Sequence, residues 1–257
     1  MDEKNELNYY SVKIIYRGKW RTVDIDGHIP CVFGNPAFSK SDKEELWVML
    51  LEKAWAKLYG SYKQIEAGYA EEPLHDLTGA PIKHLFPRQK SEESWEYLLK
   101  ASELEYAMVA SSNPGSDSQT SKAGIVQGHA YTFLNATLLD TGEGEERVVQ
   151  LRNPWGSGEF KGKWSDSYHG WNKITGPEKK RIDFDSNRHD GIFFMTYDDF
   201  KTEFSSMTVA EINDNASYVY ESCIDEECEG VYFTVKITKP GKYSFQVDKT
   251  PERAYSA

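Results

Sequence analysis

The 257 residues carry 30 Lys and Arg against 41 Asp and Glu, a formal net charge of −11, with 39% hydrophobic and 14% aromatic residues. That apolar content suffices for a packed core in one large or two modest domains, and no apolar run approaches the ~20 residues a membrane span needs. The acidic balance argues against nucleic acid as a partner, because phosphates call for clustered Lys and Arg. Three cysteines, an odd number, argue against a disulfide framework and for a reducing compartment. The start, Met1-Asp2-Glu3-Lys4-Asn5-Glu6, has neither the basic residues nor the apolar stretch of a signal peptide. A cytoplasmic protein without a transmembrane segment is the expectation.

In chain order, Tyr10 to Tyr16 and Trp20 to Ile25 flank Arg17-Gly18-Lys19 as a hairpin. Ser41-Asp42-Lys43-Glu44 reads as a capping box for a helix in which Trp47, Leu50, Leu51, Ala54, Trp55 and Leu58 recur at helical spacing and Gly60 supplies the stop. A second helix is expected from Glu92 to Ala101. The polar run Ser111 to Ser121 reads as a loop. His129 to Leu139 and Arg147 to Leu151 read as strands joined by Asp140-Thr141-Gly142-Glu143-Gly144. A strand around Ile192 to Met195 and a short helix from near Asp198 follow. Past Met207 the pattern becomes all β, with strands expected over Val231 to Ile237 and Tyr243 to Val247 around the turn Lys239-Pro240-Gly241.

Two phrases carry chemistry. Gln127-Gly128-His129-Ala130-Tyr131 and Leu151-Arg152-Asn153-Pro154-Trp155-Gly156 place a His and then an Asn 24 residues apart. A thiol with an ordinary pKa of about 8.5 needs a neighbouring base to become a nucleophile, and His129 could be that base. The second ring nitrogen then needs a neutral acceptor that fixes tautomer and direction, which Asn153 could supply. Trp155 could cover the bond between them. Taken singly, each phrase also fits a His satisfied in a strand and an Asn before a turn.

The phrases recur with others in one order: Gly18-Lys19-Trp20, Val23-Asp24-Ile25-Asp26, Leu50 to Leu58 followed by Gly60-Ser61-Tyr62, Asp76-Leu77-Thr78-Gly79, Gly162-Lys163-Trp164-Ser165-Asp166 with Trp171, and Asp190-Gly191 ahead of Phe194-Met195. From about residue 9 to residue 204 the chain resembles the calpain family of calcium-dependent cysteine proteases, specifically the second half of the protease core. The resemblance implies an α+β, papain-like subdomain with an antiparallel sheet over residues 1–206, then an incomplete β-sandwich over 207–257. It implies His129 and Asn153 as catalytic residues with Trp155 in support, and a mobile loop ahead of the His that gates the cleft.

The family's nucleophile stands in a Gln-x-x-x-Gly-x-Cys-Trp phrase, and the 257 residues contain none. Cys31 precedes His129 but sits between Pro30 and Val32, where a small buried hydrophobe is expected. The chain is therefore expected to be inactive alone, a fragment cut before the nucleophile subdomain and again inside the sandwich, which needs about seven strands and 100 residues. Kept open beside it are a non-catalytic, calcium-responsive binding module and half of a split protease. Expected partners are protein substrates or a nucleophile-bearing subdomain.

Calcium is the implied cofactor. It takes about six to eight oxygen ligands, and the family's set corresponds here to Glu159, Asp166 and Asp190 with the backbone carbonyl of Arg188. Ile192 stands where the family has a further Glu, so the site is expected to be weakened. Cys223 and Cys228 around Asp225-Glu226-Glu227 read as an acidic loop.

Overall fold

The computed structural model describes residues 8–16, 19–41, 45–158, 160–185, 190–213, 234–241, 243–245 and 247. The chain divides into two compact units, residues 1–81 with 213–257, and residues 82–212.

In the first unit, β1 (Tyr9–Tyr16) pairs antiparallel with β2 (Lys19–Asp26), Tyr16 opposite Lys19. β3 (Cys31–Val32) and β4 (Asn35–Pro36) form a two-residue ribbon, and α1 (Trp47–Leu58) and α2 (Glu71–Thr78) complete the unit. Ile14, Val23 and Ile25 of the β1–β2 ribbon pack with Leu50, Ala54 and Trp55 of α1 and with Tyr59 just beyond it. The ribbon buries alternate residues and the helix buries one stripe, so each period supplies one side of this core. Asp76 of α2, also buried, accepts from Trp55 Nε1 at 2.9 Å and the Tyr59 hydroxyl at 2.6 Å. Burial, then the Asp76 charge, pushes the Tyr59 phenol well above its ordinary range.

Two expectations are corrected here. α1 starts at Trp47 with Leu46 as an N-cap that makes no side-chain cap bond. Ser41 Oγ donates to Glu45 Oε2 at 3.2 Å, and Asp42, Lys43 and Glu44 of the expected capping box lie outside the described residues. Cys31 is exposed rather than buried. The Cys31 thiol, on a two-residue ribbon, donates to the Ile29 carbonyl at 3.4 Å.

In the second unit, β5 (Ile82–Leu85), α3 (Ser91–Glu103), β6 (Ala107–Ser112), β7 (Ala130–Asp140), β8 (Glu145–Arg152), α4 (Gly176–Arg181), β9 (Ile192–Thr196), α5 (Tyr197–Glu203) and β10 (Phe204–Ala210) follow in order. The six strands form one sheet, ordered β5-β10-β6-β7-β8-β9, with every neighbouring pair antiparallel. The expected end of the core at residue 206 falls inside β10, whose Met207, Val209 and Ala210 are fully buried. Ser111 and Ser112, expected in a loop, close β6 instead. The described residues of the two strands expected after 230, namely 234–237, 243–245 and 247, lie in neither strand nor helix. No strand among the described residues is there to complete a ladder with them. Cys223, Cys228 and the acids between them lie outside the described residues.

Strand alternation gives the sheet two apolar faces. Val149, Leu151, Phe193 and Met195 join Trp95, Leu98 and Ala101 of α3 on one face. Val148 and Phe194 meet Trp164, Trp171, Ile174 and Ile182 on the other. β7 changes parity part-way: Tyr131 and Phe133 join the first cluster, as does Ala136, whereas Leu139 joins the second. A register irregularity between Phe133 and Asn135 inserts the odd residue that makes the switch.

Candidate active site

β7 and β8 run antiparallel with Thr132 opposite Arg152, so the residue before β7 and the residue after β8 emerge at the same edge of the sheet. Those residues are His129 and Asn153. Both stand just outside the strands, and the backbone of each is tied to a neighbouring segment, the His129 carbonyl to the Ser112 N–H at 3.0 Å and the Asn153 N–H to the Gly191 carbonyl at 2.9 Å.

Asn153 is fully buried and uses its whole side-chain hydrogen-bonding capacity. Its Nδ2 donates to the carbonyls of Ser157 at 2.7 Å and Gly158 at 3.2 Å. Its Oδ1 accepts from the Trp155 backbone N–H at 3.1 Å and lies 3.2 Å from His129 Nε2. Two carbonyls on one side and a backbone N–H on the other leave the amide a single orientation. The imidazole must therefore present Nε2–H to Oδ1. In the neutral ring this puts the lone pair on Nδ1, which has no hydrogen-bond partner among the described residues.

His129 is half-buried. The Trp155 indole lies 4.5 Å from the imidazole, centroid to centroid, while remaining 53% exposed. Tyr131 meets the imidazole edge-on at 5.2 Å, and its hydroxyl accepts from the Val126 N–H at 2.9 Å. Burial lowers the His129 pKa from its ordinary value; the Asn153 bond and then the Asp117 charge oppose that and do not overcome it. A base that is neutral at physiological pH can accept a proton at Nδ1.

Ser112 was not singled out in the sequence, yet its hydroxyl accepts from the His129 N–H at 2.9 Å and donates to the His129 carbonyl at 3.0 Å. A serine at the head of a polar run carries no signal of this contact. The segment leading to His129 is hydrogen-bonded to itself: Gln127 N–H donates to Gln119 O at 2.9 Å and Gly128 N–H to Asn113 O at 2.8 Å. Gly128 has φ +59, and a Cβ there would stand 2.3 Å from Gly115 O, so only glycine fits directly before the histidine. Cys31, the one cysteine among the described residues, belongs to the other unit.

Residues 1–211 match the calpain family cysteine protease domain. The chain belongs to the calpain family. The calpain-type cysteine protease DEK1 of Arabidopsis thaliana is 39% identical over 220 residues, which cover 82% of this calpain-family chain and 10% of that protein. The calpain-type cysteine protease ADL1 of Oryza sativa subsp. japonica is 38% identical over 220 residues, with the same coverage. Calpain-9 of Rattus norvegicus is 33% identical over 202 residues, 77% of this chain and 29% of that protein. The chain thus spans between a tenth and under a third of the length of these relatives.

Of the residues expected to hold calcium, Glu159 and Arg188 lie outside the described residues. Asp166 is half-buried in the segment that carries Trp164. Asp190 Oδ1 accepts from the Ile192 N–H at 3.0 Å, and its carbonyl accepts from Arg152 Nε at 3.2 Å. Among the described residues no three His, Cys, Asp or Glu side chains group as a metal would need. The described donors alone therefore do not make a calcium site. Also among the described residues, no helix is long and apolar enough to cross a membrane.

Proposed function

We propose that this chain carries the base and its orienter, His129 and Asn153, for a calcium-responsive cysteine endopeptidase whose nucleophilic thiol lies outside these 257 residues. The observation that supports the reading is the single orientation of the Asn153 amide, which turns Oδ1 to His129 Nε2 and leaves Nδ1 as the proton acceptor. Nδ1 would take the thiol proton, and the imidazolium so formed would be held by Asn153 without a second charge. After the thiolate adds to the peptide carbonyl, the same Nδ1–H would protonate the leaving amine. Trp155 would keep water off the His129–Asn153 bond.

The substrates in this reading are proteins, and the location is cytoplasmic. In this reading residues 1–206 form the protease-core portion, and 207–257 belong to a partial β-sandwich domain. Calcium would be held by Glu159, Asp166, Asp190 and the Arg188 carbonyl, more weakly than in relatives that have a carboxylate at position 192. It would order its loops and takes no part in proton transfer.

Joining the chain to a calpain-type nucleophile subdomain should give peptide cleavage that disappears in His129→Ala. Cleavage that persists undiminished in that variant would overturn the reading. The chain alone should not turn over peptide. If an epoxide inhibitor of cysteine proteases labelled Cys31, and His129→Ala abolished the labelling, Cys31 would be the nucleophile and the missing-thiol reading would fail.

A further inference from the structure

Ser112 is the last residue of β6 and is 4% exposed. The β6–β7 ladder pairs Ser111 with Ala130, so the next facing residues are Ser112 and His129. In a regular antiparallel ladder a facing pair of the hydrogen-bonded type exchanges two backbone bonds. One is made: the Ser112 N–H donates to the His129 carbonyl at 3.0 Å. In place of the other, the His129 N–H donates to Ser112 Oγ at 2.9 Å. The same hydroxyl gives its proton to the His129 carbonyl at 3.0 Å. The Ser112 carbonyl meanwhile accepts from Ser205 Oγ at 3.1 Å, and the next residue, Asn113, donates its N–H to Glu203.

The hydroxyl thus stands in for a backbone acceptor at the point where β6 leaves β7. It grips both the N–H and the carbonyl of one residue, and so fixes that residue's φ and ψ together. Those two angles orient the Cα–Cβ bond from which the imidazole extends and limit its rotamers, and Gly128, at φ +59 immediately upstream, supplies no side chain to restrain them. Catalytic groups depend on such supporting hydrogen bonds for their geometry.

We propose that Ser112 is a positioning residue for His129, its hydroxyl setting the peptide from which the imidazole reaches Asn153. This rests on His129 being the base, and the test reads the ring itself rather than proteolysis. The chain is labelled with 15N-histidine, and the His129 signals are assigned by their loss in His129→Gln. Ring nitrogens are read above about pH 8, where histidine is neutral.

The parent should show one tautomer, protonated at Nε2, with ring protons shifted by the Trp155 indole. Ser112→Ala should lose the single-tautomer pattern and that shift, and Ser112→Thr, which keeps the hydroxyl, should restore both. A thermal melt of each variant accompanies the spectra, because a merely structural serine would lower the melting temperature without moving the ring. If Ser112→Ala does not fold, the near-isosteric Ser112→Cys, a weaker acceptor, decides in its place. A folded Ala or Cys variant with the parent's tautomer and shifts overturns the positioning role. A parent whose own tautomers are mixed would instead count against His129 as the oriented base.

Discussion

Asn153 Oδ1 and His129 Nε2 lie 3.2 Å apart, and the amide cannot turn away because its Nδ2 is bound to the carbonyls of Ser157 and Gly158. The orienting group is itself oriented, by backbone atoms two to five residues further along its own turn. The Asn153 N–H also donates to the Gly191 carbonyl at 2.9 Å, which ties the turn to the residue ahead of β9.

Asn153→Ala should therefore be costly beyond its effect on the histidine. It removes a fully buried side chain that bonds two carbonyls and a backbone N–H, and because Trp155, Ser157 and Gly158 are themselves exposed and can turn those groups to water, a loss of about 1–3 kcal/mol is expected. Urea unfolding monitored by tryptophan fluorescence measures it. A loss below about 0.5 kcal/mol, the range of neutral surface changes, would mean that the turn does not depend on the amide.

The lowered His129 pKa predicts a direction for stability against pH. Folding favours the neutral ring, so as pH falls the unfolded chain takes up the proton first. The contribution is whole above the ordinary histidine value of about 6.5, declines as pH falls below it, and is fully lost once pH passes below the lowered folded value. Subtracting the urea midpoints of His129→Gln from those of the parent, between about pH 8 and pH 5, should leave a difference that falls with acid. A difference that rises with acid would contradict the burial account.

Trp155 is more than half exposed, so its removal should cost little stability, under about 1 kcal/mol. Its effect belongs to the ring beside it. In Trp155→Ala water reaches the imidazole, desolvation weakens, and the His129 pKa should rise toward its ordinary value. An NMR titration of the His129 ring protons reads this directly, and an unchanged midpoint would show that the indole does not shield the ring.

Tyr131 offers a test of the segment leading to His129. Its buried hydroxyl is the acceptor for the Val126 N–H. Tyr131→Phe keeps the ring contacts with Phe193 and Phe204 and removes only that acceptor. About 1–3 kcal/mol should be lost through the orphaned N–H, and hydrogen exchange at Val126 should quicken. Unaltered exchange at Val126 would place the hydroxyl outside the restraint on this segment.

For calcium, saturating ion should raise the melting temperature of the parent over the chelated sample, because a ligand bound only to the folded state stabilises it by mass action. Asp166→Asn should remove most of that rise, and Ile192→Glu should bring the rise at lower calcium concentration. Identical midpoints for parent and Asp166→Asn, with and without the ion, would return these acids to the solvated surface.

Much was legible in the sequence because it depends on neighbours in the chain. The β1–β2 hairpin, α1 with its stop at Gly60, α3, and the β7–β8 pair with its turn all follow from periodicity and turn residues within short windows. The phrases around His129 and Asn153 were readable for the same reason. The start of α1 was misread because a capping sequence says where a helix can begin, while packing of the Leu50 and Trp55 stripe against β1 and β2 sets which turns are kept. β6 and β10 are not legible in the sequence because both strands are fixed by partners far along the chain, Phe204 to Ala210 lying between β5 and β6. Residue type alone suggests burial for Cys31, whereas its exposure is decided by its place on the short β3–β4 ribbon. The residue types for a base and its orienter are written in the sequence. The tertiary structure decided that they meet, because antiparallel pairing brings the start of β7 to the end of β8, and it revealed Ser112, whose hydroxyl acquires its partner only where two strands part.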